Sequence, residues 1–124
     1  MKSILVIEDN ASNLMLTVDI LQRADYSVLT ATNAEDGIRT ATEEFPDLIL
    51  MDIQLPGTDG LTATHQLKDN PSTQHIPVIA LTAHAMKGDE EKILSEGCDG
   101  YIAKPIRYKA FLETIRNFFE THPA

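Results

Sequence analysis

The side chains best able to do chemistry together follow directly on short apolar runs. Glu8 and Asp9 come after Ile4-Leu5-Val6-Ile7, Asp52 after Leu48-Ile49-Leu50-Met51, Thr82 after Val78-Ile79-Ala80-Leu81, and Lys104 after Tyr101-Ile102-Ala103. Brought to one place, three carboxylates repel one another unless a cation joins them. All these donors are oxygens, which suits a hard divalent ion. Mg²⁺, which keeps water and accepts phosphate oxygen, fits better than Zn²⁺, which takes His or Cys. Mg²⁺ beside a carboxylate is also what phosphoryl transfer to that carboxylate needs, because the charge spread over the phosphate oxygens must be neutralised. Lys104 adds a second positive charge, and Thr82 a hydroxyl able to reach a phosphate oxygen. Asp52 stands alone after its run and is the candidate nucleophile, whereas Glu8 and Asp9 are paired, as metal ligands often are.

Taken singly, each residue has a plainer reading. An acid after a strand caps a helix, Thr82 is a turn hydroxyl, Lys104 a surface charge and Tyr101 a half-buried core ring. What favours a site is their joint placement at the ends of strands, and that depends on the elements around them. Ser3 to Ile7 is apolar without helical period, as expected of a buried parallel strand. Leu14, Val18 and Leu21 then recur at helical spacing, predicting a helix from about Asn13 to Ala24. Ser27 to Ala31 reads as a second strand. Thr32 with Glu35 forms a capping-box pattern opening a helix that Pro46 stops. Asp47 to Met51 is a third strand ending on Asp52, followed by the loop markers Pro56, Gly57 and Gly60 and a weaker helix from about Gly60 to Lys68. Val78 to Leu81 is a fourth strand, Met86 to Glu96 a charged helix, Tyr101 to Ala103 a fifth strand. The last helix carries Phe111, Leu112, Ile115, Phe118 and Phe119.

Alternating strands and helices of this kind build a doubly wound α/β sheet, five parallel strands with helices on both faces. In the order 2-1-3-4-5, strands 1 and 3 flank the switch point, where such sheets bind ligands beyond their carboxyl ends. That convergence is what the acids require.

A length of 124 residues holds one such domain, expected to span 1–124. No apolar run is long enough for a transmembrane helix or a secretory signal, so a cytoplasmic protein is expected, with no membrane partner. The lone Cys98 fits a reducing compartment and reads as structural. A net charge of −9 with scattered basic residues argues against nucleic-acid binding. His65, His75, His84 and His122 show no ligand spacing, and Asp89-Glu90-Glu91 reads as a solvated helix face.

Glu8-Asp9-Asn10, Leu50-Met51-Asp52-Ile53-Gln54-Leu55-Pro56-Gly57, Leu81-Thr82-Ala83 and Tyr101-Ile102-Ala103-Lys104-Pro105 resemble the response-regulator receiver domain of bacterial two-component systems, a CheY-like fold. The likeness runs the whole chain, with every signature position filled. Ala85 to Glu91 and the ending just past His122 resemble the single-domain cell-division regulators within that family.

The resemblance implies phosphorylation of Asp52 by a histidine kinase or histidine phosphotransfer protein. It implies Mg²⁺ on Asp9, Asp52 and the main-chain carbonyl of Gln54, with Glu8 helping through water and Lys104 contacting the phosphate. It implies that Thr82 and Tyr101 act as the switch, remodelling the surface of the fourth helix, fifth strand and fifth helix for a downstream protein, and that the Lys104-Pro105 bond is cis. Self-phosphorylation and autodephosphorylation are expected rather than turnover of a conventional substrate. Gln54 and His84 occupy the positions that influence acyl phosphate lifetime.

The chain starts at Met1 and ends just past its last helix, which favours a freestanding regulator over a module of a hybrid kinase or larger regulator. Enzymes on similar folds fit less well. Flavodoxin-like proteins need a phosphate loop after strand 1, where Glu8-Asp9 would repel the ligand. Haloacid-dehalogenase-type phosphatases carry a second Asp where this chain has Gln54.

Overall fold

The computed structural model describes residues 2–53, 55, 60–82 and 87–121, without the side chains of 87–90. Expectations on Gln54, Pro56, Gly57, His84, Met86 and His122 therefore lie outside the described residues. The elements run β1 (Ser3–Ile7), α1 (Ala11–Arg23), β2 (Ser27–Ala31), α2 (Ala34–Glu44), β3 (Leu48–Asp52), α3 (Gly60–Asp69), β4 (Val78–Thr82), α4 (Lys87–Ser95), β5 (Gly100–Ala103) and α5 (Tyr108–Thr121). The five strands form one sheet in the order β2-β1-β3-β4-β5, and every pair is parallel.

The continuous apolar runs are explained by burial on both faces. Ile4, Val6, Leu48, Leu50, Ile79 and Leu81 pack with Ile20 and Leu21 of α1 and Phe111 and Ile115 of α5. Leu5, Ile7, Ile49, Met51, Val78 and Ala80 pack on the opposite face with Ala34 and Ala41 of α2, Ala63 and Leu67 of α3 and Ile93 of α4. Successive strand residues point to opposite faces, so only an apolar run without alternation satisfies both layers. Each fully buried Leu or Ile contributes about 1.5–3 kcal/mol, which fixes β1, β3 and β4 as the rigid centre of the sheet. The registers Ile7↔Met51 and Asp52↔Leu81 then bring the ends of these three strands level.

Several boundaries differ by a residue or two from those read in the sequence, and three of them have a clear cause. Helix α1 begins at Ala11, two residues before Asn13, because the Asn10 side chain accepts the Asn13 N–H at 3.0 Å and caps it there. Its first turn is exposed and so carries no apolar period. Helix α2 is capped by Asn33 rather than Thr32: Asn33 Oδ1 accepts the Asp36 N–H at 2.8 Å. Thr32/Glu35 and Asn33/Asp36 are overlapping cap pairs one residue apart, and the chain uses the second. Strand β3 takes in Asp52 itself, so the acid belongs to the ladder instead of following it. Helix α2 closes on Phe45 at φ 49°, whose N–H reaches the Ala41 carbonyl at 3.2 Å before Pro46.

Candidate functional site

Strands β1 and β3 are neighbours, so their carboxyl ends deliver acids to one edge. Ligand oxygens of Glu8, Asp9 and Asp52 all lie within 4.8 Å of one another, and among the described residues they are the one group of three or more potential metal ligands. Glu8 and Asp52 are buried, at 1% and 2% exposure, whereas Asp9 is open to solvent. The main chain holds Glu8 in place: its N–H donates to the Ala31 carbonyl at 3.0 Å, extending the ladder to β2 by one residue.

Lys104 enters from the loop after β5. Its main-chain N–H donates to the Thr82 carbonyl at 2.7 Å, which seats the residue against the end of β4. The side chain, itself largely buried, places Nζ 3.1 Å from Glu8 Oε2 and 3.3 Å from Asp52 Oδ2. The Lys104-Pro105 peptide bond is cis. Thr82 is fully buried at the end of β4 and follows Leu81, the register partner of Asp52. Tyr101 lies one strand further out, with Ala80 as its partner. It is half-buried against the core on the α2, α3 and α4 face.

The electrostatics are unbalanced. Burial, and then the Asp52 charge beside it, push the Glu8 carboxyl above its ordinary value near 4.5, against the pull of Lys104. One ammonium thus fails to neutralise the cluster. Two buried carboxylates and an exposed one, all oxygen donors, make a set that a hard divalent cation fits.

One neighbour of the site reads in the sequence as a loop marker and the start of a helix, with no role at the acids. Gly60 opens α3 against the main chain of Asp52 and Ile53, its N–H 3.4 Å from the Ile53 carbonyl. The only sequence signal for so close an approach is a glycine a few residues past a strand-terminal acid.

Three comparisons bear on family and fold. The response regulator receiver domain model matches residues 4–116. The polar-differentiation response regulator DivK of Brucella anthropi is 48% identical over 117 residues, covering 94% of this chain and 95% of that protein. Among solved structures, the receiver domain of a sensor histidine kinase from Pseudomonas aeruginosa has a TM-score of 0.88 at 32% identity, covering 96% of this chain and 98% of its own. That structure carries a magnesium ion coordinated in its active site cleft. A two-component response regulator from Clostridium difficile, at 22% identity, has a TM-score of 0.91 over the full length of both chains and speaks for the fold alone. Sheet order, site geometry and sequence relatives agree: the chain belongs to the response-regulator receiver domain family of two-component signalling.

Proposed function

We propose that Asp52 is the phosphoacceptor, taking a phosphoryl group from the phosphohistidine of a kinase or histidine phosphotransfer protein. The observation that carries this reading is the convergence of three carboxylates within 4.8 Å with the Lys104 ammonium seated on two of them. A carboxylate oxygen of Asp52 forms the new bond to phosphorus as the phosphorus–nitrogen bond of the donor histidine breaks, and the departing imidazole nitrogen takes up a proton. Glu8, Asp9, Asp52 and the main-chain carbonyl of Gln54 would hold Mg²⁺, which when bound offsets the negative charge on the transferring group. Lys104 turns from its carboxylate partners toward a phosphate oxygen. Thr82 supplies a hydroxyl to the same group, and Tyr101 follows it.

Residues 1–124 are proposed to act as one receiver domain of a freestanding, cytoplasmic regulator. The family match over residues 4–116 and the coverage of 95% of a DivK relative support this, as does a lone, buried cysteine. The output surface is proposed on α4, β5 and α5. In its favour, a cavity of about 380 Å³ opens there beside the site, lined by Tyr101, Lys104, Arg107, Ala110 and Thr114 among others.

The test is labelling from acetyl phosphate with Mg²⁺. The wild type should incorporate one phosphoryl group and Asp52→Asn none. Persistent labelling of the variant removes Asp52 from its role.

A further inference from the structure

We infer that Gly60 is a positioning residue for the acid site: the missing side chain lets the first turn of α3 rest directly on the Asp52–Ile53 peptide and so fixes where the Asp52 carboxylate stands. A Cβ at residue 60 would lie 2.5 Å from the Asp52 carbonyl oxygen and 2.5 Å from Ile53 Cα, with the Asp52 carbonyl carbon at 3.0 Å. All three obstacles are backbone atoms of the acid-bearing segment, which no rotamer change can clear. Among the described glycines only Gly97 has a positive φ, so what residue 60 requires is space and not an unusual conformation.

The turn is also held from its inner side. The Thr64 hydroxyl donates to the Gly60 carbonyl at 2.8 Å, and the Cys98 thiol donates to that hydroxyl at 3.8 Å. Thr64 and Cys98 are both buried, so α3 is tied to the residues leading into β5. On the other side, the Ile53 N–H donates to the Leu81 carbonyl at 3.3 Å. The Asp52–Ile53 peptide is therefore clamped between β4 and the start of α3, and a methyl group at residue 60 must move one of them. Misplacement of a reacting group by about 1 Å can cost about 100-fold in rate. This inference rests on the proposed role of Asp52.

The test compares wild type, Gly60→Ala and Leu21→Ala. Leu21 is fully buried in the last turn of α1, at the opposite end of the sheet from the acids. Its variant therefore reports the effect of lost stability alone. Mg²⁺ affinity by calorimetry and labelling from acetyl phosphate are measured together, under conditions where urea titration shows each protein to be folded. Gly60→Ala should weaken Mg²⁺ binding about tenfold and lower the maximal labelling rate about 100-fold with little change in the acetyl phosphate concentration at half-rate, while Leu21→Ala stays within about twofold of wild type in both.

Wild-type behaviour in Gly60→Ala, or an equal loss in Leu21→Ala, overturns the inference while leaving the role of Asp52 intact. A wild type that neither binds Mg²⁺ nor accepts phosphoryl overturns both. Should Gly60→Ala fail to fold, Thr64→Val removes the inner tether at nearly constant volume. It should then weaken Mg²⁺ binding by about two- to fivefold, and an unchanged affinity overturns the inference.

Discussion

Replacing Glu8 by Gln should stabilise the metal-free protein at neutral and alkaline pH and weaken its response to Mg²⁺. Two unit charges at the 4.8 Å limit of the cluster repel by about 3.5 kcal/mol at an effective dielectric constant near 20. Lys104, 3.1 Å from Glu8, works in the opposite direction with about 5 kcal/mol at the same dielectric constant. Which prevails is settled by burial, which adds to the repulsion and leaves the Glu8 carboxyl titrating above its ordinary value near 4.5. The folded state therefore holds the Glu8 proton more tightly than the unfolded chain does. Below about 4.5 both states are protonated and this group has no effect on the pH dependence. As pH rises from there through the raised native value, the unfolded chain ionises first and native stability falls.

The amide introduced by Glu8→Gln cannot ionise, so the stability difference between variant and wild type should grow across that window and level off above it. The plateau should favour the variant, because burial and the Asp52 charge together outweigh the pull of Lys104. Urea unfolding followed by circular dichroism in EDTA, from pH 4.5 to 8, measures it. At a Mg²⁺ concentration of about 100 times the dissociation constant, binding stabilises the wild type by about 2.7 kcal/mol, and the variant should gain less at the same concentration. A difference that is flat with pH, or that turns against the variant at high pH, would show that the Lys104 pair outweighs burial and Asp52, refuting this account of the site.

Further expectations concern the surroundings of the acids. Lys104→Ala should still bind Mg²⁺ but show a weaker conformational response to beryllofluoride in a chemical-shift titration; equal responses in the two proteins count against a role for that lysine at the phosphate. Phe111→Ala, which empties a fully buried position between α5 and the sheet, should cost about 3–5 kcal/mol in urea unfolding, and a cost below about 1 kcal/mol would contradict the packing described. The Cys98 thiol, pushed above its ordinary value chiefly by burial, should resist a disulfide reagent at pH 8 until the protein unfolds. Rapid stoichiometric reaction of the native protein would be the contrary result.

What the sequence made legible follows from which interactions leave a periodic trace. Burial of β1, β3 and β4 on both faces demands unbroken apolar runs, so their positions, and the acids that close them, could be read directly. Overlapping cap signals could not be separated, since Thr32 with Glu35 and Asn33 with Asp36 present the same chemistry, and only the geometry of the turn chooses Asn33. The exposed first turn of α1 left no apolar period, and only the polar cap at Asn10 marks its start. Within the site, types and spacing pick out the acids and Lys104 but carry no distances, and in the structure the Lys104 ammonium sits on Glu8 and Asp52. Gly60 is the strongest case of a silent residue. Its contribution is the absence of atoms beside the Asp52 carbonyl, and an absence has no periodicity, charge or polarity to be read until the fold brings α3 against β3. Strand-end acids fix what the site can bind, while the backbone contacts beneath them fix where it is held, and only the first of these is written in side-chain chemistry.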